Sequence, residues 1–425
     1  MAGFEGADLG PGFEIDYAAR AFDGAAREKD FLLSSVEPTK PAVAVPERSR
    51  SGAIFVAAGI FLSRIAGLVR DRAFAHYFGN SAAADACRAA QKIPNFLQNL
   101  FGEGVLSGSL IPVYAKLLGE KKDAEADRVA SVVATLLALV TSILAALGIV
   151  MTPLLIDLIA PGFEGEKRAL TIHLVEILFP GIALLVMSAW CLGILSSHRR
   201  FFLSYAAPVL WNAMIIGALL LFGGRQTQND LAVTVAWGMV AGCALQLVAQ
   251  LPSVFRLLGK FRPAIDLQSA PVRDVLRNFV PVVATRGVVQ ISAYIDNMLA
   301  SLLPTGAVAA LGYAQTIYLL PVSLFGMSVS AASLAEMSRS QGQEGQDRGD
   351  DGHAALKAHL QKGATQIAFF ILPSMAAMLV LGDVIVGALY KTGAFSRQDV
   401  VHVWLALGGC ALGLPASTLG RLYSS

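Results

Sequence analysis

Charged side chains are concentrated in the first two long apolar segments of this 425-residue chain. A charge inside a membrane-crossing helix costs from about 3 kcal/mol upward, so such residues normally face a wet cavity or a partner. Arginine forks suit phosphate groups, because each donates two parallel charge-assisted hydrogen bonds. The pattern therefore predicts a cavity that binds a phosphate or pyrophosphate. The charged residues are Arg64, Arg70, Asp71, Arg72, Asp85, Arg88, Lys92 and Glu103.

Arg64 and Arg70 are the first candidates for ligand binding. They lie six residues apart, about 240° around a helix, so they share no narrow stripe but both could border a broad cavity. Asp71 and Asp85 are candidate partners that would fix the arginine forks. Arg286, in a later apolar segment, adds a cation from the other half of the chain.

A purely structural interpretation stands beside this one. The Arg-Asp-Arg run at 70–72 would then be a salt-bridged helix end, and the Arg64 side chain would reach the headgroups. The structural interpretation is favoured for Arg72, Arg88 and Lys92. Asp296 and Asp383 are isolated acids in apolar segments, and each is either a proton or cation site or a hydrogen-bonded cavity residue.

Sequence signals of catalysis and of metal binding are missing. The sequence has no Walker A loop, no GxGxxG in a βαβ context, no HExxH and no nucleophile elbow, so we expect no enzyme. The four cysteines are widely spaced in apolar runs and lack metal-ligand spacing, which indicates packing roles and no metal. The net charge of +2 is spread without a basic block, which argues against nucleic acid as a partner.

Composition indicates which elements position the charges. The chain is 55% hydrophobic and 15% charged, with a mean hydropathy of +0.59, as in a protein that crosses a membrane many times. Apolar windows near the 20 residues needed to cross a bilayer predict ten helical spans and an all-α integral membrane protein. They are approximately 53–78, 85–115, 129–150, 170–195, 202–223, 231–254, 278–303, 308–335, 364–390 and 400–423.

The distribution of lysine and arginine among the loops predicts the orientation. The basic residues are concentrated in the loops after the second, fourth, sixth and eighth windows, which places those loops and both chain ends in the cytoplasm. Residues 1–50 are polar and mixed in charge, and we expect a disordered cytosolic tail. The first span is predicted to be an uncleaved signal anchor.

A weak internal repeat suggests two halves. Gly79, Ala82, Ala83 and Pro94 recur at one offset as Gly306, Ala309, Ala310 and Pro321, each set linking an outer turn to a span predicted to be broken by proline. A parallel repeat of this kind has its axis along the membrane normal. We therefore expect an N-terminal lobe at 51–262 and a C-terminal lobe at 263–425, facing each other across a cavity.

Several motifs resemble the MurJ/MviN lipid II flippase family of the multidrug/oligosaccharidyl-lipid/polysaccharide exporter superfamily. They are LSRIAGLVRD at 62–71, KIPN at 92–95, FGEG at 101–104, IPV at 111–113, APGF at 160–163, QLP at 250–252 and QIS at 290–292. The resemblance covers roughly 51–425. It implies a two-lobe transporter that moves the undecaprenyl-pyrophosphate-linked peptidoglycan precursor from the inner to the outer leaflet of the bacterial cytoplasmic membrane by alternating access.

The resemblance also implies roles for single residues. Arg64, Arg70 and Asp85 would bind substrate, with Arg286 as an added candidate. Asp296 falls at the acid of a sodium site, so sodium is the one ion implied. The expected partners are lipid II, membrane lipids and cell-wall synthesis proteins. The gating or structural positions of the signature would be Asp71, Lys92, Pro94 and Glu103.

This chain departs from the family pattern in two places. Thr316, after Gln315, stands where the family commonly has an arginine, and Gln98 and Asn99 stand where span two often has one. We hypothesise that Arg286 substitutes for one of these. Ten spans instead of the family's usual fourteen lead us to expect a fragment without the last four helices.

Other functions stay open at this point. The first alternative is an exporter of another lipid-linked saccharide or of drugs, although a cation-rich cavity would repel a cationic drug. The second is a non-transporting membrane scaffold for cell-wall synthesis, which would tolerate neutralisation of the arginines. A membrane enzyme is the third.

Overall fold

The computed structural model describes residues 49–321, 365 and 368–416, and all of them belong to one compact unit. Within these ranges the regular secondary structure is α-helical and contains no strand. The helices are α1 (Ser49–Phe78), α2 (Ala82–Phe101), α3 (Glu103–Gly119), α4 (Asp123–Ile159), α5 (Gly165–Ser197), α6 (Phe201–Ala206), α7 (Pro208–Phe222), α8 (Gln228–Leu257), α9 (Ala270–Ser301), α10 (Ala307–Pro321), α11 (Ala368–Val380), α12 (Gly382–Tyr390) and α13 (Arg397–Leu412). The fold is that of an all-α membrane protein, as predicted.

Three of the described helices, α4, α5 and α8, are long and apolar enough to cross a membrane by themselves. They contain 37, 33 and 30 residues, more than the roughly 20 that a bilayer requires. The helices α11 and α12 are bent by 76° and count as one broken span if taken together. Two shorter apolar helices, α7 and α10, accompany them. Part of the eighth, ninth and tenth predicted windows, and nearly all of the predicted tail, lies outside the described residues.

Three predicted spans are divided where the sequence suggested continuous helices, the ninth of them at the bend between α11 and α12. The second window breaks at Gly102, which has a non-helical ψ of −149°, so α2 and α3 are separate. Pro94, expected to break this span, lies inside α2. The prediction was wrong because membrane helices tolerate an internal proline when neighbouring groups satisfy the freed backbone. The fifth window begins with the short α6, and Pro208 starts α7, a position that suits proline.

The helix α5 forms the centre of the first half of the chain. It packs against α2, α3, α4 and α8. Its fully buried Trp190 donates a 3.1 Å hydrogen bond from Nε1 to the carbonyl of Ala130 in α4. The alanine-rich face of α2 is buried, and small residues allow such close helix contact in membranes.

The two glycines of the proposed repeat occupy similar turns. Gly79 precedes α2 with φ of +55°, and Gly306 precedes α10 with φ of +98°. A Cβ on Gly306 would lie 2.6 Å from the carbonyl oxygen of Asn80, so the two turns touch. Both positions need glycine for their left-handed backbone. The division into lobes at 262 stays a prediction.

Candidate functional site

A cavity of about 550 Å³ lies between helices from both halves of the chain. Arg64, Arg70 and Asp71 line it from α1, and Thr316 lines it from α10. Gln98, one of the positions where this chain departs from the family pattern, also lines the cavity. The remaining lining residues are Ile60, Ser63, Gly67, Leu68, Asn95, Leu185, Tyr205, Pro208, Trp211, Asn212, Gln246, Leu319 and Leu320.

Arg70 is fixed from two sides. Its Nε and Nη2 atoms donate to Oδ1 of Asp71 at 3.1 and 2.9 Å, and its Nη1 donates to Oδ1 of Asn212 at 3.1 Å. The guanidinium also lies over the ring of Trp211, 5.2 Å from the centroid. Three of the five N–H donors of an arginine are thus used by described residues. The other two donate to no described residue, and Arg70 lines the cavity.

Asp71 is the buried centre of this cluster, with 1% of its side chain exposed. Besides Arg70, its Oδ1 accepts a 3.2 Å hydrogen bond from Nη2 of Arg88. Its Oδ2 accepts a 2.8 Å hydrogen bond from the Thr316 hydroxyl. The cluster therefore joins α1, α2 and α10 through one carboxylate.

Arg64 differs from Arg70 in having no acid beside it among the described residues. Its side chain is exposed and lines the cavity, and it donates no hydrogen bond to another residue that the structure describes. Arg64 and Arg70 together therefore bring more positive charge to the cavity than Asp71 can balance. Such a site suits a ligand that carries a phosphate or pyrophosphate.

Asp85 lies outside this cavity. The expectation that Asp85 pairs with the cavity arginines was wrong, because its carboxylate faces the start of α10 instead. Its Oδ2 accepts 2.7 Å hydrogen bonds from Nζ of Lys167 and the backbone N–H of Gly306, and its Oδ1 accepts a 2.8 Å bond from the N–H of Ala309. Backbone donors at a helix N-terminus attract anions, and sequence spacing gives no sign of this contact.

Further contacts join the same ends of the helices, which we term the outer ends because the orientation predicted from the loop charges has them facing outward. Nδ2 of Asn297 donates to the carbonyl of Ile159 at 3.1 Å, and the N–H of Gly162 donates to Oγ of Ser301 at 3.3 Å. The Tyr313 hydroxyl donates to the carbonyl of Gly79 at 3.0 Å. The outer ends are thus closed against each other in this structure.

The other predicted residues are dispersed. Nζ of Lys92 lies 3.3 Å from Oε1 of Gln315, bridging α2 and α10. Glu103 begins α3 and Arg286 lies within α9, but their side chains lie outside the described residues. The hypothesis that Arg286 replaces a missing arginine therefore stays a prediction. Nη2 of Arg397 donates to Oδ2 of Asp383 at 2.9 Å, forming an exposed ion pair.

Asp296 lines a second cavity, of about 760 Å³, between α9, α10 and α13. His402 and Cys410 line it as well, among mainly apolar residues. In the part of the chain that the structure describes, no three His, Cys, Asp or Glu side chains are grouped as metal ligands. Asp296 remains a candidate for ion coupling.

Sequence reasoning undervalued three of these residues. A structural role was favoured for Arg88, and neither Lys167 nor Asn212 was among the predicted site residues. The available signal for Arg88 was its charge among the alanines that form the buried face of α2. The partner of each was not predictable, because all three contacts depend on how separate helices pack against each other.

Comparison with known proteins identifies the family. The family model described as "Lipid II flippase MurJ" matches residues 74–425. The chain belongs to the lipid II flippase MurJ family. Among its relatives, the probable lipid II flippase MurJ of Rickettsia prowazekii is 32% identical over 379 residues, which cover 88% of this chain and 72% of that protein. The corresponding protein of Thermotoga maritima is 30% identical over 367 residues, covering 86% and 71%.

Solved structures agree with this family assignment. A structure described as "Lipid II flippase MurJ, inward closed conformation" superposes with a TM-score of 0.73 at 29% identity, covering 87% of this chain and 76% of that one. An inward-facing transporter of the multidrug resistance MATE family gives 0.63 at 15% identity, a likeness of fold alone. The chain is therefore a multi-pass membrane protein with the MurJ-type transporter fold.

Proposed function

We propose that this protein moves lipid II from the inner to the outer leaflet by alternating access, with the pyrophosphate bound between Arg64 and Arg70. The observation that carries the proposal is the arginine pair in one cavity, with Arg70 fixed by Asn212 and Asp71 and Arg64 free of acidic partners among the described residues. Membership of the MurJ family supports lipid II as the cargo.

The structure, in which the outer ends are closed against each other, corresponds to one state of the proposed transport cycle. Asp85 holds the start of α10 through two backbone N–H groups, while Lys167 neutralises it. Release of a headgroup to the outside requires these contacts to separate. We infer that Asp85 belongs to an outer gate and acts at a distance from the pyrophosphate.

The proposal also covers the orientation of the protein, the membrane in which it lies and the ion to which transport is coupled. The loop charges support a cytoplasmic N-terminus, and membership of the MurJ family supports the bacterial inner membrane. Cell-wall synthesis proteins are expected partners. We place ion coupling at Asp296, with sodium as the ion. Flipping in vesicles should then slow when choline replaces sodium, and Asp296→Asn should show no such difference; an equal rate in both salts would remove the sodium step.

The experiment that tests the function is complementation in a conditionally flippase-depleted bacterium. Wild-type protein should restore growth, and Arg64→Ala/Arg70→Ala should not, although it reaches the membrane at the same level. Arg72→Gln is the matched control, since Arg72 donates to the carbonyls of Ala388 and Leu389 at 2.9 Å and does not line the cavity. Growth with the double variant would favour a scaffold instead.

A further inference from the structure

Arg88 is a buried cation that touches the site without lining the cavity. Only 12% of its side chain is exposed. Its guanidinium lies between two aromatic rings, 4.8 Å from the centroid of Phe74 and 5.0 Å from that of Tyr313. Its Nη2 lies 3.2 Å from Oδ1 of Asp71. Arg88 therefore contacts the carboxylate that also holds Arg70.

Stability does not explain an arginine at this position. The Nε atom of Arg88 is buried and has no hydrogen-bond partner in the part of the chain that the structure describes, which leaves part of its desolvation uncompensated. The residues within two positions of Arg88 on α2 that are buried are Ala86, Cys87, Ala89 and Ala90. Replacing a buried ion pair by apolar side chains of similar volume is often neutral or stabilising. A role in the charge of the site accounts for the arginine where packing does not.

The role follows from the charges around Asp71. With Arg70 as its only cation, Asp71 would cancel the positive charge of Arg70 and repel an incoming anion. With Arg88 also bound to Oδ1, the three groups keep one net positive charge. We propose that Arg88 is a positioning residue that neutralises Asp71, so that Arg70 presents its charge to the pyrophosphate. This inference rests on the proposed function.

The contacts of Thr316 fit the same role. Thr316 and Arg88 bind different oxygens of Asp71, at 2.8 and 3.2 Å, so the two side chains share one carboxylate. Thr316 can donate a hydrogen bond but cannot supply charge. The second cation beside Asp71 thus comes from α2 and not from position 316 of α10.

The test measures binding of undecaprenyl pyrophosphate to the detergent-purified protein by microscale thermophoresis. Arg88→Gln should weaken binding on the order of 30-fold. This is the effect of removing one unit charge about 8 Å from a charge on the ligand, in a medium of effective dielectric constant of about 20. Arg88→Lys keeps the charge and should bind within about fivefold of wild type. Arg88→Gln/Asp71→Asn removes the charge that Arg88 balances, so it should recover most of the lost affinity.

Arg72→Gln is the matched control, because it removes an arginine one residue from Asp71 that bonds only to carbonyls among the described residues. A double variant as weak as Arg88→Gln, or Arg88→Lys as weak as Arg88→Gln, would overturn the inference. If Arg88→Gln does not fold, the other two variants decide, since neither should show the roughly 30-fold loss of affinity expected for an unbalanced Asp71 charge. Arg64→Ala separates the two proposals: if it binds normally the proposed pyrophosphate site fails, whatever Arg88 does.

Discussion

Replacing Asp85 with asparagine removes the charge that holds the outer ends together. Asp85 is buried, and Lys167 is 14% exposed, so their 2.7 Å ion pair is poorly screened by water. The asparagine would also turn an amide N–H₂ toward a donor on at least one side, because Lys167, Gly306 and Ala309 all donate to the native carboxylate. Removing one partner of a buried pair costs about 3–5 kcal/mol.

That cost applies only to the state in which the outer ends are closed. A loss of about 3 kcal/mol shifts the balance between closed and open states by about 100-fold, at 1.4 kcal/mol for each factor of ten. The assay is a pulsed electron paramagnetic resonance distance between spin labels at Arg225 and Thr305, which are exposed near the outer ends. The four native cysteines are free and must first be replaced. Asp85→Asn should add a population at longer distance.

Two variants calibrate this result. Lys167→Met removes the ion pair but keeps both backbone hydrogen bonds, so its shift should be smaller than that of Asp85→Asn. Arg168→Gln breaks the exposed pair with Asp157 and should change nothing, because surface pairs contribute little. A distance distribution in Asp85→Asn identical to wild type would refute the assignment of Asp85 to an outer gate.

Other perturbations have defined outcomes. Gly162→Ala puts a methyl group against the backbone of Ser301 and should lengthen the same spin-label distance, whereas Gly217→Ala meets nothing within 4 Å and should not. Arg70→Lys keeps the charge but loses the pair of hydrogen bonds that Nε and Nη2 donate to Oδ1 of Asp71. The efficiency of complementation should therefore fall about tenfold, and full rescue would contradict a role for the guanidinium geometry. Burial lowers the pKa of His198, in the loop after α5, below 6.5. The neutral form is thus favoured in the fold, and thermal stability should fall as the pH drops below about 6.5, a slope that His198→Gln should remove.

Hydrophobicity predicted the helical class of the fold but not every helix boundary. Windows of apolar residues identify segments that cross the membrane, yet they do not register a single residue such as Gly102 with non-helical backbone angles. The sequence also led us to expect a helix break at Pro94, which instead lies inside α2. The 76° bend between α11 and α12 likewise has no sign in the composition of the segment.

The residues of the site were predictable in part, but their contacts between helices were not. Intramembrane charge pointed to Arg64 and Arg70, and both line one cavity although their spacing excludes a narrow stripe. The pairing of Asp71 with its neighbour Arg70 is local and could be anticipated. The contacts of Asp85 and Arg88 depend on how α2 packs against α1 and α10, which a single sequence does not encode in any spacing.

The most direct test of the account is lipid II translocation in proteoliposomes that contain the purified protein. Lipid II with a fluorescent headgroup is incorporated in both leaflets, and an impermeant reducing agent reports the fraction reaching the outside. The account predicts fast loss of fluorescence from the inner pool with wild-type protein and none above protein-free vesicles with Arg64→Ala/Arg70→Ala. Equal rates for the two proteins, both folded and reconstituted alike, would contradict it.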